Sequence, residues 1–166
     1  MFGANTMVLE VSTTPYIFTF KLWNWARVGL DGKPRPIHLE HGKNNIQWNR
    51  NTEWVKENLL HQDCIKYEDK YCKIVRTGLH EREFLDTYRC SFSGKLKLPS
   101  DGGVHMLNLV EGAQAVITSP ENKFEPFVVH YAETFIIPAS AGDCIIEPDG
   151  VDKEEKHIVL LATVRP

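Results

Sequence analysis

Nothing in these 166 residues reads as a run of basic side chains, and no apolar stretch approaches the roughly 20 residues needed to span a bilayer. Lys plus Arg number 19 against 22 Asp plus Glu, and the net charge of −3 is spread along the chain. Nucleic acid and membrane surfaces are therefore not expected as partners. Met1-Phe2-Gly3-Ala4-Asn5 has neither a basic n-region nor an apolar h-region, so the chain is read as soluble and cytoplasmic. Cys64, Cys72, Cys90 and Cys144 lack CxxC spacing and the density of a secreted disulfide scaffold, and are read as buried free thiols in a reducing compartment. Internal repeats, low-complexity tracts and flexible linkers are also missing. What is present in quantity is apolar side chain, 42%, enough for a real core.

Along the chain two styles of patterning succeed each other. Met7 to Val11 alternates apolar and polar residues, Ser12-Thr13-Thr14-Pro15 punctuates it, and Tyr16 to Trp25 resumes an aromatic run, which together predict a hairpin or two strands. Gly29 to Pro36 is dense in Gly and Pro and must be a loop. Ile37 to Gln47 allows a short helix, and Thr52 is a plausible N-cap for another through Leu60. From Asp63 onward short alternating runs are separated by turn residues. Strands are expected at 64–67, 71–77, 82–93, 103–111, 113–118, 124–131, 134–138, 143–147 and 157–164. This predicts a mainly β chain, an antiparallel barrel with little helix, and two domains, 1–62 and 63–166.

Two segments are more specific. Thr19-Phe20-Lys21-Leu22-Trp23-Asn24-Trp25-Ala26-Arg27, followed by Asp31-Gly32-Lys33-Pro34-Arg35-Pro36-Ile37-His38, resembles a block of the type I mannose-6-phosphate isomerases. That block reads roughly T-Y-R-x-Y-D-W-x-R and then D-G-x-P-R-x-L-H. Ala132-Glu133-Thr134-Phe135-Ile136-Ile137-Pro138-Ala139 resembles the E-x-x-x-I-P-A turn of that family's C-terminal barrel, and His80 to Phe84 resembles the start of the same barrel. The resemblance implies a cupin-like jelly roll at 63–166, preceded in 1–62 by the end of a second, catalytic cupin barrel and connecting helices.

The function it implies is aldose–ketose isomerisation of mannose 6-phosphate and fructose 6-phosphate, with zinc polarising the sugar oxygens. The family's metal ligands align upstream of Met1, so no metal ligand and no bound cofactor are expected from this chain alone. A separate N-terminal half becomes a possible partner, beside the sugar phosphate itself. Carried over residue by residue, Lys21 stands where the family has arginine and Arg27 on a second basic position, both facing the substrate as catalytic cations that stabilise the enediol and hold the phosphate. Glu10, a candidate catalytic base, matches a glutamate on the strand upstream, and Asn24 replaces a common aspartate. Lysine lacks the planar fork with which arginine grips phosphate.

Periodicity raises a difficulty that the resemblance does not. On a continuous strand Ile17, Thr19, Lys21, Trp23, Trp25 and Arg27 share one face, with Phe18, Phe20 and Leu22 on the other, buried one. Six extended residues span roughly 20 Å, too far for Lys21 and Arg27 to hold one hexose phosphate unless the chain turns near Trp25. Solvated charges at a barrel rim are the alternative reading for both, and a buried cation's partner the alternative for Glu10. Two other functions stay open: a non-catalytic cupin-like binding module, or one half of a split isomerase. A cupin enzyme using His38, Glu40 and His41 is a third. His61, His80, His105, His130 and His157 are read as packed or surface histidines.

Overall fold

The computed structural model describes residues 8–12, 21–60, 63–78 and 84–165. The chain divides into two compact units, Met1–Asn58 and Leu59–Pro166.

In the first unit the helices are short. α1 spans Leu39–Asn45 and α2 spans Thr52–Asn58. The cap of α2 is Asn51 rather than Thr52, since its Oδ1 accepts the Trp54 N–H at 2.9 Å. Asn and Thr cap by the same geometry, and here the earlier residue takes the role. Arg50 lies over the Trp54 ring at 3.7 Å. Neither Val8 to Val11 nor Lys21 to Trp25 is a strand, contrary to the sequence reading, and the intervening 13–20 lie outside the described residues. β-propensity reports how well a side chain fits a pleated, half-buried surface. Among the described residues these two segments have no strand to pair with.

The second unit is built almost wholly from strands. They are β1 (Cys64–Glu68), β2 (Cys72–Arg76), β3 (Leu85–Phe92), β4 (Leu96–Leu98), β5 (His105–Glu111), β6 (Gln114–Thr118), β7 (Phe127–His130), β8 (Thr134–Ile137), β9 (Cys144–Asp149) and β10 (His157–Val164). A 3-10 turn, Ala139–Ala141, follows β8. The first sheet runs β1-β2-β3-β10-β5-β8 and the second β4-β9-β6-β7, with every pairing antiparallel. With β1 and β2 set aside, the chain passes back and forth between the four strands β3, β10, β5 and β8 of the first sheet and the second sheet, in which β6 and β7 form a hairpin. That is the jelly-roll arrangement, and the unit is a cupin-like β fold.

The strand positions follow the sequence expectation closely, with one omission. β4, Leu96-Lys97-Leu98, was not expected, although Leu96 is fully buried and Leu98 nearly so. Phe92, Leu107, Leu109 and Val159 from one sheet interdigitate with Leu96, Ile117, Cys144 and Ile146 from the other. These side chains fill the interior, each burial stabilising the fold by about 1.5–3 kcal/mol for the larger ones. β1 is different, exposed along its whole length.

Candidate functional site

Lys21 and Arg27 are separated by a turn. Trp25 adopts φ 51, and the Arg27 N–H donates to the Asn24 carbonyl at 3.1 Å, so the chain reverses where the sequence argument required it to. Arg27 then enters a tight hairpin. Its carbonyl accepts the Arg35 N–H at 3.2 Å, Val28 bridges Pro34, and Gly29 donates to Lys33 at 2.9 Å. Asp31 Oδ1 closes the loop by accepting the Lys33 N–H at 3.1 Å. The Trp23 and Trp25 rings lie 5.0 Å apart. Leu22 is held by the His38 N–H on its carbonyl at 2.9 Å and by α1, where a Cβ on buried Gly42 would lie 2.6 Å from Leu22 Cδ1.

The electrostatics of this block are those of solvent-facing cations. Lys21, Arg27 and Glu10 are all exposed. Leu22 is 46% exposed, so the face expected to be buried is open at that position, while Phe18 and Phe20 lie outside the described residues. Among the described residues, no side chain of Glu10, Lys21 or Arg27 makes a hydrogen bond or ion pair. The turn brings the two cations onto one short loop, while Glu10 belongs to a separate described stretch.

No group of three His, Cys, Asp or Glu capable of holding a metal occurs among the described residues. His38 precedes α1 rather than sharing its face with His41, and the two rings meet edge-on at 5.8 Å. His130 is turned to Glu133, whose Oε2 also accepts the His130 N–H at 2.7 Å, and that bond foremost holds the Glu133 carboxyl below its ordinary range. His105 meets Asp101 at 3.1 Å. His157 is fully buried, with Nε2 3.0 Å from the Gln114 carbonyl and Nδ1 3.2 Å from that of Glu155. A zinc site needs about three ligands with free nitrogen lone pairs converging on one point, and these histidines do not supply it. His61 and His80 lie outside the described residues.

Sequence reasoning missed the most connected polar cluster among the described residues. Asp86, on β3, is buried and accepts Arg76 Nε at 2.9 and 2.8 Å, the Thr87 N–H at 3.0 Å and the Tyr88 hydroxyl at 3.3 Å, with Arg165 at 3.7 Å. Burial opposes its ionisation, but the Arg76 bonds and charge overcome this and hold the carboxyl below its usual range. The pairing β2–β3 sets Arg76 opposite Tyr88, which delivers the guanidinium to Asp86. The chain therefore carries a buried, structural ion cluster in the barrel and exposed, unpaired cations on the Trp25 turn.

No family model and no curated protein matches the chain. Among solved structures, mannose 6-phosphate isomerase from Bacillus subtilis is similar to it at 15% identity and a TM-score of 0.55, covering 84% of this chain and 38% of that one. Vicilin from hazelnut, Corylus avellana, is similar at 16% identity and a TM-score of 0.52, covering 64% of this chain and 32% of that one. FeII HppE is similar at 8% identity and a TM-score of 0.51, covering 63% of this chain and 57% of that one. These likenesses establish the fold. The chain spans well under half the length of the isomerase it matches.

Proposed function

We propose that this chain is part of a mannose-6-phosphate-isomerase-type cupin protein, with residues 63–166 as its C-terminal barrel and 1–62 as the end of the catalytic barrel. Lys21 and Arg27 are its cations toward a sugar phosphate. The observation that carries this reading is the extent of structural likeness. The second unit makes up about two thirds of the chain, and hazelnut vicilin and FeII HppE match about that much, whereas the isomerase likeness covers 84% and so reaches well into the first unit. The Trp25 turn supports it too, because it removes the roughly 20 Å separation that a continuous strand would impose between Lys21 and Arg27.

In this reading the two cations bind and orient the phosphate and its sugar oxygens, work suited to fixed positive charge. The described residues do not fit zinc, and their work in this reading is binding and orientation. The test is titration with fructose 6-phosphate, read by Trp23 and Trp25 fluorescence, with isomerisation of mannose 6-phosphate and zinc content measured on the same sample. A saturable change absent with unphosphorylated fructose, and lost in Lys21→Met and Arg27→Met, is expected. Equal responses to the two sugars, or variants that bind as the parent does, refute it.

A second reading, a non-catalytic cupin-like binding module, is favoured by the filled interior of the barrel, in which both His157 nitrogens lie against backbone carbonyls. It predicts no response to sugar phosphate at all.

A further inference from the structure

The two sheets of the jelly roll are joined at one edge by the turn between β7 and β8, which are outer strands of the second and first sheet. Strand pairing does not continue from one to the other, so a seam opens there. A cleft of about 320 Å³ occupies it, within the size range of small-molecule sites. Its apolar wall is aromatic. Phe124 and Phe127 lie 5.9 Å apart at 53°, and Phe127 continues to Phe135 at 6.1 Å and 77°. Ile137, almost fully buried, forms part of the lining, and Ile136 remains 62% exposed.

The polar rim decides what such a cleft would take. Lys123 is already engaged, 2.7 Å from Glu121, and its Nζ lies where a side chain on Gly142 would have to go. Glu125 also lines the cleft, and among the described residues it makes no hydrogen bond or ion pair. Ser140 adds an exposed hydroxyl, and Asp143 lies near enough to act on Lys123. The available charge is thus negative, beside rings whose faces attract cations.

We propose that the seam between β7 and β8 is a binding site for small amphipathic amines, with an aryl or alkyl body against Phe124 and Phe127 and the ammonium on Glu125. The site lies wholly in the barrel and is independent of the sugar-phosphate reading. An anion of the same shape meets Glu125 and a lysine already paired, so it binds worst.

The test uses the full chain and three probes sharing one ring: 2-phenylethylamine, 2-phenylethanol and 3-phenylpropionate, followed by amide NMR shifts. Saturable shifts clustered at 123–127 and 136–141, with affinity falling from amine to alcohol to carboxylate, are expected. Glu125→Gln, an exposed change that leaves the core alone, should weaken the amine about threefold and leave the alcohol unchanged. Phe127→Ala should weaken all three. Carboxylate binding as tight as the amine, an amine-to-alcohol ratio unchanged in Glu125→Gln, shifts scattered over the barrel, or no saturable shift with any probe would each overturn the proposal.

Discussion

Replacing Gly112 by alanine should be far more damaging than replacing Gly102, although both glycines have positive φ, 99° and 80°. Gly112 sits in the turn from β5 to β6, and a Cβ there would fall on the imidazole of His157. That ring is fully buried, with its nitrogens 3.0 Å from the Gln114 carbonyl and 3.2 Å from that of Glu155, and it lies 5.8 Å from the Phe92 ring. At Gly102 a Cβ would meet nothing within 4 Å. The backbone part is common to both variants, about 1–2 kcal/mol for a non-glycine residue in this region. Gly112→Ala must in addition displace the ring, losing a hydrogen bond to a carbonyl at about 1 kcal/mol and some core packing. The expected total is about 3–5 kcal/mol against about 1–2 kcal/mol for Gly102→Ala. Urea unfolding followed by β-sheet circular dichroism measures both. In a His157→Ala background the Gly112→Ala change should cost only the backbone part, which a double-mutant cycle isolates. Equal shifts of midpoint for the two single variants would refute the reasoning.

Cys64 is exposed and the other three thiols are buried, with burial pushing Cys90 up to about 12. A thiol reagent should therefore label one cysteine in the native chain and four after denaturation; labelling of Cys90 in the folded state would contradict the core packing. Asp86→Asn should lower stability by about 2–4 kcal/mol, since it leaves the Arg76 guanidinium in a partly buried site without its carboxylate. Asp86 and Asp101 are both held below the ordinary carboxylate range, Asp101 chiefly by the Gly103 N–H, with His105 adding to it. Protons then bind the unfolded chain more readily. The stability these groups supply is full above the unfolded carboxylate pKa of about 4 and is lost as pH falls through their folded values, so acid unfolding should be shallower in Asp86→Asn. Leu96→Ala should cost about 2–5 kcal/mol in urea unfolding, because Leu96 is fully buried between the sheets, and a cost near zero would refute that placement.

The barrel was legible because its strands announce themselves one at a time. His157–Val164 is an apolar run rich in the β-formers Ile158, Val159, Thr163 and Val164 and bounded by turn residues, and it is the strand predicted without error. The second unit's turn signals worked in the same way. Leu96–Leu98 escaped because three residues are too few to establish a period of two. Tyr16 to Trp25 shows the opposite failure, in which aromatic content suggested a strand over Lys21 to Trp25, where the chain instead turns at Trp25 with φ 51. The Asp86 cluster was invisible for a different reason. Arg76 lies ten residues upstream and Arg165 near the chain end, and only the pairing of β3 with β2 and β10 brings them to one carboxylate. The thiol reading was right for Cys72, Cys90 and Cys144 and wrong for Cys64, because β1 forms a sheet edge open on both faces.

Where ligand chemistry can reside follows from how the jelly roll is filled. Phe92, Leu107, Leu109, Ile117, Ile146 and Val159 occupy the interior with essentially no exposure, and the histidine among them has both ring nitrogens within 3.2 Å of backbone carbonyl oxygens. An interior packed like this resists a guest, because admitting even a small molecule means opening a cavity at about 24 cal/mol per Å³. For a guest of about 100 Å³ that alone is about 2–3 kcal/mol before any polar group is satisfied. Binding is therefore expected where side chains are already open to solvent: the cations of the Trp25 turn in the first unit and the aromatic seam in the second. Their charges have opposite sign, Lys21 and Arg27 against Glu125, so a phosphate and an amine should partition between them. Each should bind without altering the affinity of the other, since neither requires the barrel interior to change. Titrating fructose 6-phosphate in the presence of saturating 2-phenylethylamine measures this directly, and mutual competition would mean that one of the two assignments is misplaced.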